Sequence, residues 1–257
     1  MKSDTELIAE LDREGFSVAP DVLDAATVTQ LRADLERAID QEATYHGGTD
    51  YGDYGMVLVC CMYGRSFIDL LADERVMGLF NRVLGEGCIL YAYTSSSMPP
   101  GRTNYSNRIH VDCPRLIPGY RTNMGAMVLL DDFTEENGAP LMLAGSHRQF
   151  DAPAREDFFA RATRITAPAG SVCYMDPRVW HSGRSNRTSR WRHAVTFNMC
   201  RPYMKQRIDI PRIMAGIDLT GVSEKALQKM GFLAQVPASL DEYYLPPEQR
   251  KFRQKTE

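Results

Sequence analysis

The feature that most constrains this chain is a succession of short strand-like runs through its middle. They cover 88–93, 108–112, 122–131, 141–143, 164–166, 171–175, 179–182 and 192–199. Turn signals separate them: Pro99-Pro100-Gly101, Pro118-Gly119, Glu136-Asn137-Gly138 and Pro168-Ala169-Gly170. Many short strands in a row favour a β-sandwich or jelly roll over alternating βαβ units.

The flanks read differently. Asp24 is a natural N-cap, and Val28, Leu31, Leu35 and Ile39 place one apolar stripe on a helix running to about 42. A smaller helix at 5–13 and a short strand at 15–18 precede it. A Tyr- and Gly-rich loop covers 46–54, and a second helical region covers 66–84. After Pro202 the chain turns Pro- and charge-rich, with a helix expected at 223–230 and a frayed polar end at 246–257. No linker or repeat divides the chain. The expectation is one domain: a helical region at 1–87, a β core at 88–200 and a helical or irregular region at 201–257.

With 257 residues the chain can bury a full core and enclose a site. Thirty basic residues face 33 acidic ones, so no overall charge pulls the protein toward nucleic acid or an anionic membrane. The N-terminus has no secretory pattern, and the longest apolar runs are too short to span a bilayer. None of the six cysteines is spaced as CxxC, which argues for buried, reduced thiols in a cytoplasmic protein. Asn104 and Asn186 begin glycosylation-like triplets, expected to be chance matches without a signal peptide.

Only five histidines occur: His46, His110, His147, His181 and His193. His110-Val111-Asp112 lies in a strand-like run, where residues i and i+2 project from one face. An imidazole and a carboxylate side by side supply two corners of the 2-His-1-carboxylate triad that binds non-haem Fe(II). Taken alone, the pair is equally a polar pair on a strand's solvent face. His181, 71 residues on, is the candidate third ligand, because distant strands of a jelly roll meet at its mouth. By itself it also reads as a histidine hydrogen-bonded beside Trp180. Arg192 follows eleven residues later, at the start of an alternating strand. Inside a barrel it needs an anionic partner, which a carboxylate co-substrate would supply. On the surface it would simply join Arg184, Arg187 and Arg190.

Together these residues resemble the phytanoyl-CoA dioxygenase family, a branch of the Fe(II)/2-oxoglutarate-dependent oxygenases. The resemblance rests on His110-x-Asp112, Glu135-Glu136-Asn137-Gly138, Gly145-Ser146-His147, His181-Ser182, Asn186 and Arg192, and it covers about residues 5 to 210. Ala144 stands where the family usually has proline. The resemblance implies a double-stranded β-helix with flanking helices, Fe(II), 2-oxoglutarate and O2. It implies iron ligation by His110, Asp112 and His181, and a bond from Arg192 to the distal carboxylate of 2-oxoglutarate. It makes His147 a turn residue. Strand alternation turns His193 away, and His46 reads as solvated.

Two departures narrow the chemistry. Related halogenases replace the aspartate by Gly or Ala, so Asp112 favours hydroxylation or another oxidation. Many relatives carry Arg-x-Ser where this chain has Arg192-His193-Ala194; Thr196, on the same face as Arg192, is the expected substitute. The expected substrate is a small molecule of secondary metabolism, beneath lids formed by 45–54 and 95–105, with Arg115 and Arg121 read either as solvated loop arginines or as able to meet an anionic group. The competing readings are a non-catalytic jelly-roll protein that binds a ligand or metal, and a metal enzyme that needs no 2-oxoglutarate.

Overall fold

The computed structural model describes residues 2–250. Helix α1 (Asp4–Glu14) leads into strand β1 (Phe16–Ala19) and helix α2 (Ala25–Tyr45), and α3 (Arg65–Leu70) and α4 (Glu74–Leu84) complete the N-terminal layer. The β region holds β2 (Ile89–Ser95), β3 (Asn123–Leu129), β4 (Leu141–Met142), α5 (Arg155–Arg161), β5 (Thr163–Arg164), β6 (Val172–Met175), β7 (His181–Ser182) and β8 (Ala194–Cys200). Short helices α6 (Ile210–Ile213), α7 (Glu224–Met230) and α8 (Leu240–Tyr243) follow.

The strands form two antiparallel sheets, ordered β1-β6-β3-β8-β2 and β5-β4-β7. Side-chain alternation gives the larger sheet two buried faces. Val195, Phe197, Met199, Met124, Ala126 and Val128 pack against Leu31, Leu35, Phe67 and Phe80 of the helices. Met127, Leu129, Cys173, Met175 and Ala194 point the other way, toward Met142 of the small sheet and Ile165 just beyond β5. Strand β3 is buried at all seven positions, which explains its continuous apolar run. Two facing sheets wrapped on one side by helices make the double-stranded β-helix that the sequence leads one to expect.

The Asp24 cap forms: its side chain accepts from the Thr27 amide, and α2 buries Val28, Leu31, Leu35 and Ile39. Fully burying each such side chain contributes about 1.5–3 kcal/mol. The helix expected over 66–84 is two helices, because Asp73 caps a new start by accepting from the Arg75 amide. Helix α5 escapes the sequence reading: it has seven residues, no side-chain cap and one buried residue, Phe158.

The run expected as a strand over 108–112 is irregular. It makes a single two-residue bridge, His110 with His181. The amides of Asp112 and Cys113 then converge on one carbonyl, that of Pro177, at 2.8 and 3.0 Å. Pro177 has no N–H to return, so a regular ladder cannot continue. The expected strands at 141–143 and 179–182 contract to the two-residue β4 and β7, and the one expected at 164–166 is the two-residue β5, which starts one residue earlier. Of the expected frayed end, Pro247–Gln249 forms a 3-10 turn, and 251–257 lie outside the described residues. All six cysteines are free, and five are buried. Asn104 and Asn186 are both buried, with their side chains engaged in hydrogen bonds, so neither amide is free to carry a glycan.

Candidate metal centre and co-substrate pocket

His110 and His181 face each other on two paired backbones. The His110 amide donates to the His181 carbonyl at 3.0 Å, and the His181 amide donates back at 2.9 Å. The two rings lie 4.2 Å apart between centroids. Asp112 Oδ1 is 3.6 Å from His110 Nε2 and 3.7 Å from His181 Nε2. One donor atom from each of the three residues falls within 4.8 Å of the others. The loop thus brings together the trio that strand geometry was expected to assemble.

The rings are also locked in one tautomer. His110 Nδ1 is 2.8 Å from the Arg108 carbonyl, and His181 Nδ1 is 2.9 Å from the Val179 carbonyl. A carbonyl only accepts, so each Nδ1 carries the proton and each Nε2 presents its lone pair. Such backbone anchoring is the usual way a protein aims a metal-ligating histidine. Burial, followed by the neighbouring His181, lowers the pKa of His110 and favours the neutral ring that a metal requires.

These residues line a cavity of about 150 Å³ between the two sheets. Met127, Met142 and Met175 form its apolar wall, and Thr94, Thr196 and Asn198 add polar groups. Thr94 and Thr196 are register partners across β2 and β8. Asn198 Oδ1 accepts from Asn123 at 3.2 Å, which fixes its amide.

Arg192 enters the same cavity with 1% of its surface exposed. Its guanidinium donates to the Gly138 carbonyl at 2.9 Å and the Ser96 carbonyl at 2.7 Å, and lies 4.3 Å over the Phe133 ring. No carboxylate pairs with it among the described residues, and its buried Nε has no hydrogen-bond partner. Burial pulls its pKa down from 12.5 to about 10. A buried cation with a donor nitrogen that has no partner is suited to an anion.

The other histidines sit elsewhere. His147 lies in the 3-10 turn Ser146–Arg148, its Nε2 3.2 Å from the Asp12 carbonyl. His193 points away from the cavity and stacks on Trp191, with Nδ1 3.0 Å from Ser97 Oγ. His46 ends α2 and stacks on Tyr51 at 4.3 Å. Arg121 is not a free cation: it pairs with Asp12 and Asp176. With Arg115 it lines a different cavity, of about 660 Å³. Of the expected lids, Ser95, Ser96 and Tyr105 reach the metal cavity, whereas the Tyr/Gly loop contributes through Asp53, which accepts from the Tyr105 amide at 3.3 Å.

Thr94, Asn198 and Arg207 line the cavity without having been singled out in the sequence, and Tyr105 enters it as the end of an expected lid. Alternation along β2 and β8 carries the signal for the first two. No periodicity marks the others, which lie on irregular segments.

Comparison with known proteins finds both a family and structural relatives. The family model described as phytanoyl-CoA dioxygenase matches residues 11–194. An uncharacterized protein of Mycobacterium tuberculosis is 30% identical over 247 residues, covering 93% of this chain and 90% of that protein. Ectoine dioxygenase of Stutzerimonas stutzeri is 26% identical over 220 residues, 71% of this chain and 72% of that enzyme. The structure of HygX from Streptomyces hygroscopicus, which holds nickel and 2-oxoglutarate, superposes with a TM-score of 0.62 at 18% identity, covering 78% of this chain and 88% of HygX.

Proposed function

The chain belongs to the phytanoyl-CoA dioxygenase family of Fe(II)/2-oxoglutarate-dependent oxygenases, and from that premise we propose that it oxidises a small molecule of secondary metabolism in the cytoplasm, converting 2-oxoglutarate to succinate and CO2. The observation that carries this reading is one cavity holding both a His-Asp-His cluster and an orphaned guanidinium nitrogen.

In this reading His110 and His181 offer Nε2, and Asp112 offers a carboxylate oxygen, to Fe(II). Two imidazoles and one carboxylate suit that ion and leave coordination positions open. Arg192 receives the distal carboxylate of 2-oxoglutarate, and the Thr196 hydroxyl donates to the same group in place of the family's serine. When bound, the iron, 2-oxoglutarate and O2 supply the oxidising power, and the protein supplies placement. The Arg108 and Val179 carbonyls keep both imidazoles aimed. Met127, Met142 and Met175 keep water from the cavity wall. Asp112 occupies the corner that halogenases vacate, so oxidation of the substrate is favoured over halogenation.

The test is anaerobic titration with Fe(II) and 2-oxoglutarate, followed by the visible metal-to-ligand charge-transfer band. The wild type develops the band, and His110→Ala and Asp112→Ala abolish it. Absence of the band in the wild type would remove the metal assignment. Turnover that proceeds without 2-oxoglutarate would remove the co-substrate.

A further inference from the structure

Two basic side chains, Arg192 and Arg207, line the metal cavity among the described residues. Resting on the functional reading above, formal charges inside the loaded site can be counted. The divalent ion and Arg192 carry three positive charges; Asp112 and the 2-oxoglutarate dianion carry three negative ones. They cancel, and Arg207 is left over. Its guanidinium forms no hydrogen bond or ion pair with a described residue, and among those residues Asp112 is the only acid on the cavity wall.

Arg207 is exposed, but its backbone is fixed. Its amide donates to the Tyr91 carbonyl at 3.0 Å. The neighbouring Gln206 side chain donates to the carbonyls of Leu90 at 2.9 Å and Met230 at 3.1 Å. The backbone at Arg207 is thereby stitched to β2, and the chain from β2 onward supplies Ala92, Thr94 and Ser96 to the cavity wall. Tyr105 stands between this arginine and the metal ligands electrostatically: burial raises its phenol, Asp112 adds to that, and Arg207 works against both. Arg108, 5.6 Å over the Tyr105 ring, adds a second cation to the rim. An uncompensated positive charge at the mouth of a cleft attracts and orients anions.

We propose that Arg207 receives an anionic group, a carboxylate or a phosphate, carried by the substrate, and so selects acidic small molecules for oxidation. This replaces Arg115 and Arg121, which lie on another cavity, as the substrate-facing cation. Arg192 then holds the co-substrate beside the metal ligands, and Arg207 holds the substrate's charged end.

The test needs no knowledge of the substrate and no turnover. The protein is loaded anaerobically with Mn(II) and 2-oxoglutarate. Proton relaxation is then measured for four methyl-bearing probes: acetate, methylphosphonate, neutral tert-butanol and cationic tetramethylammonium. In the wild type, at least one anion relaxes about fivefold or more faster than tert-butanol, the contrast a single charge-assisted hydrogen bond gives. Comparing acetate with methylphosphonate tells carboxylate from phosphate. Arg207→Gln brings the anion to the level of tert-butanol, and Arg207→Lys keeps most of the excess. An equal anion effect in wild type and Arg207→Gln overturns the proposal, because the anion is then held by the metal or by Arg192. Equal relaxation of all four probes in the wild type overturns it too. Water-proton relaxation reports Mn(II) binding separately. If Mn(II) is not retained by the wild type, the metal reading falls and this inference falls with it.

Discussion

Replacing Arg192 by methionine separates its role in the fold from its role as a receptor. In the protein without co-substrate, burial lowers the guanidinium from 12.5 to about 10. At about 1.4 kcal/mol per pH unit, this is roughly 3 kcal/mol of destabilisation at neutral pH, because the unfolded chain holds the same proton more tightly. Methionine removes that penalty. It also strips the donors from the Gly138 and Ser96 carbonyls, at about 1–3 kcal/mol each where water does not replace them. The opposing effects are similar in size, so the empty variant should keep its stability to within about 2 kcal/mol. Co-substrate binding should behave otherwise. Truncating one partner of a buried charge pair costs about 2–5 kcal/mol, which is roughly 30-fold to several thousandfold in Kd. The assay is the charge-transfer titration with 2-oxoglutarate, beside urea unfolding of the metal-free protein. A Kd within about threefold of wild type would refute the receptor role. A loss of more than about 4 kcal/mol in the empty protein would show that Arg192 is chiefly structural.

Thr196→Val should weaken 2-oxoglutarate binding about 10- to 150-fold in the same titration and leave Fe(II) affinity unchanged, as expected for one hydrogen bond to a charged carboxylate; unaltered affinity would remove Thr196 from the pocket's function. Gly138 has φ +82°, and a Cβ there would collide with the Arg184 carbonyl. Gly138→Ala should therefore cost about 1–3 kcal/mol in thermal unfolding and also weaken 2-oxoglutarate binding, because the carbonyl that holds Arg192 moves; a destabilised variant with wild-type affinity would break that link. Burial, chiefly, lowers the pKa of His193 below 6.5. The unfolded chain then protonates first, so the stability from the neutral ring is complete above 6.5 and is lost as pH falls below it. His193→Asn should flatten the acid limb of the urea midpoint against pH, and an unchanged limb would contradict the assignment.

The sequence conveys the architecture well where local and tertiary forces agree. The α2 cap and stripe predict their helix because Asp24 satisfies the Thr27 amide and the same face meets the sheet. Strand β8 begins at Ala194, two residues after Arg192, which bridges Met98, yet Arg192 and Thr196 both line the cavity as their period-two spacing predicts. The metal trio is legible by a route that is only partly sound. His110 and Asp112 do come together, but through the paired amides at Pro177 rather than through strand alternation. Residues 141–143, 164–166 and 179–182 look longer as strands than they are, because short apolar runs carry no mark of where pairing stops. Arg115 and Arg121 attract notice by their closeness in sequence to His110, whereas the chain returns Arg207 to the cavity from far away. That return depends on bonds to Tyr91 and Leu90, which no spacing rule encodes.

The reciprocal amide bonds between His110 and His181 have a mechanical consequence. They join stretches 71 residues apart in sequence, and one of those stretches is an irregular span with little sheet of its own. An ion held by both imidazoles would act there as a removable cross-link. Closing such a ring costs an unfolded chain entropy, and a preformed site is rare before folding, so the link would favour a chain whose sheet has already paired. The central sheet would then survive metal starvation, and the rim around 104–113 would loosen first. Supply of the ion would set how rigid the entrance is, quite apart from any chemistry performed inside.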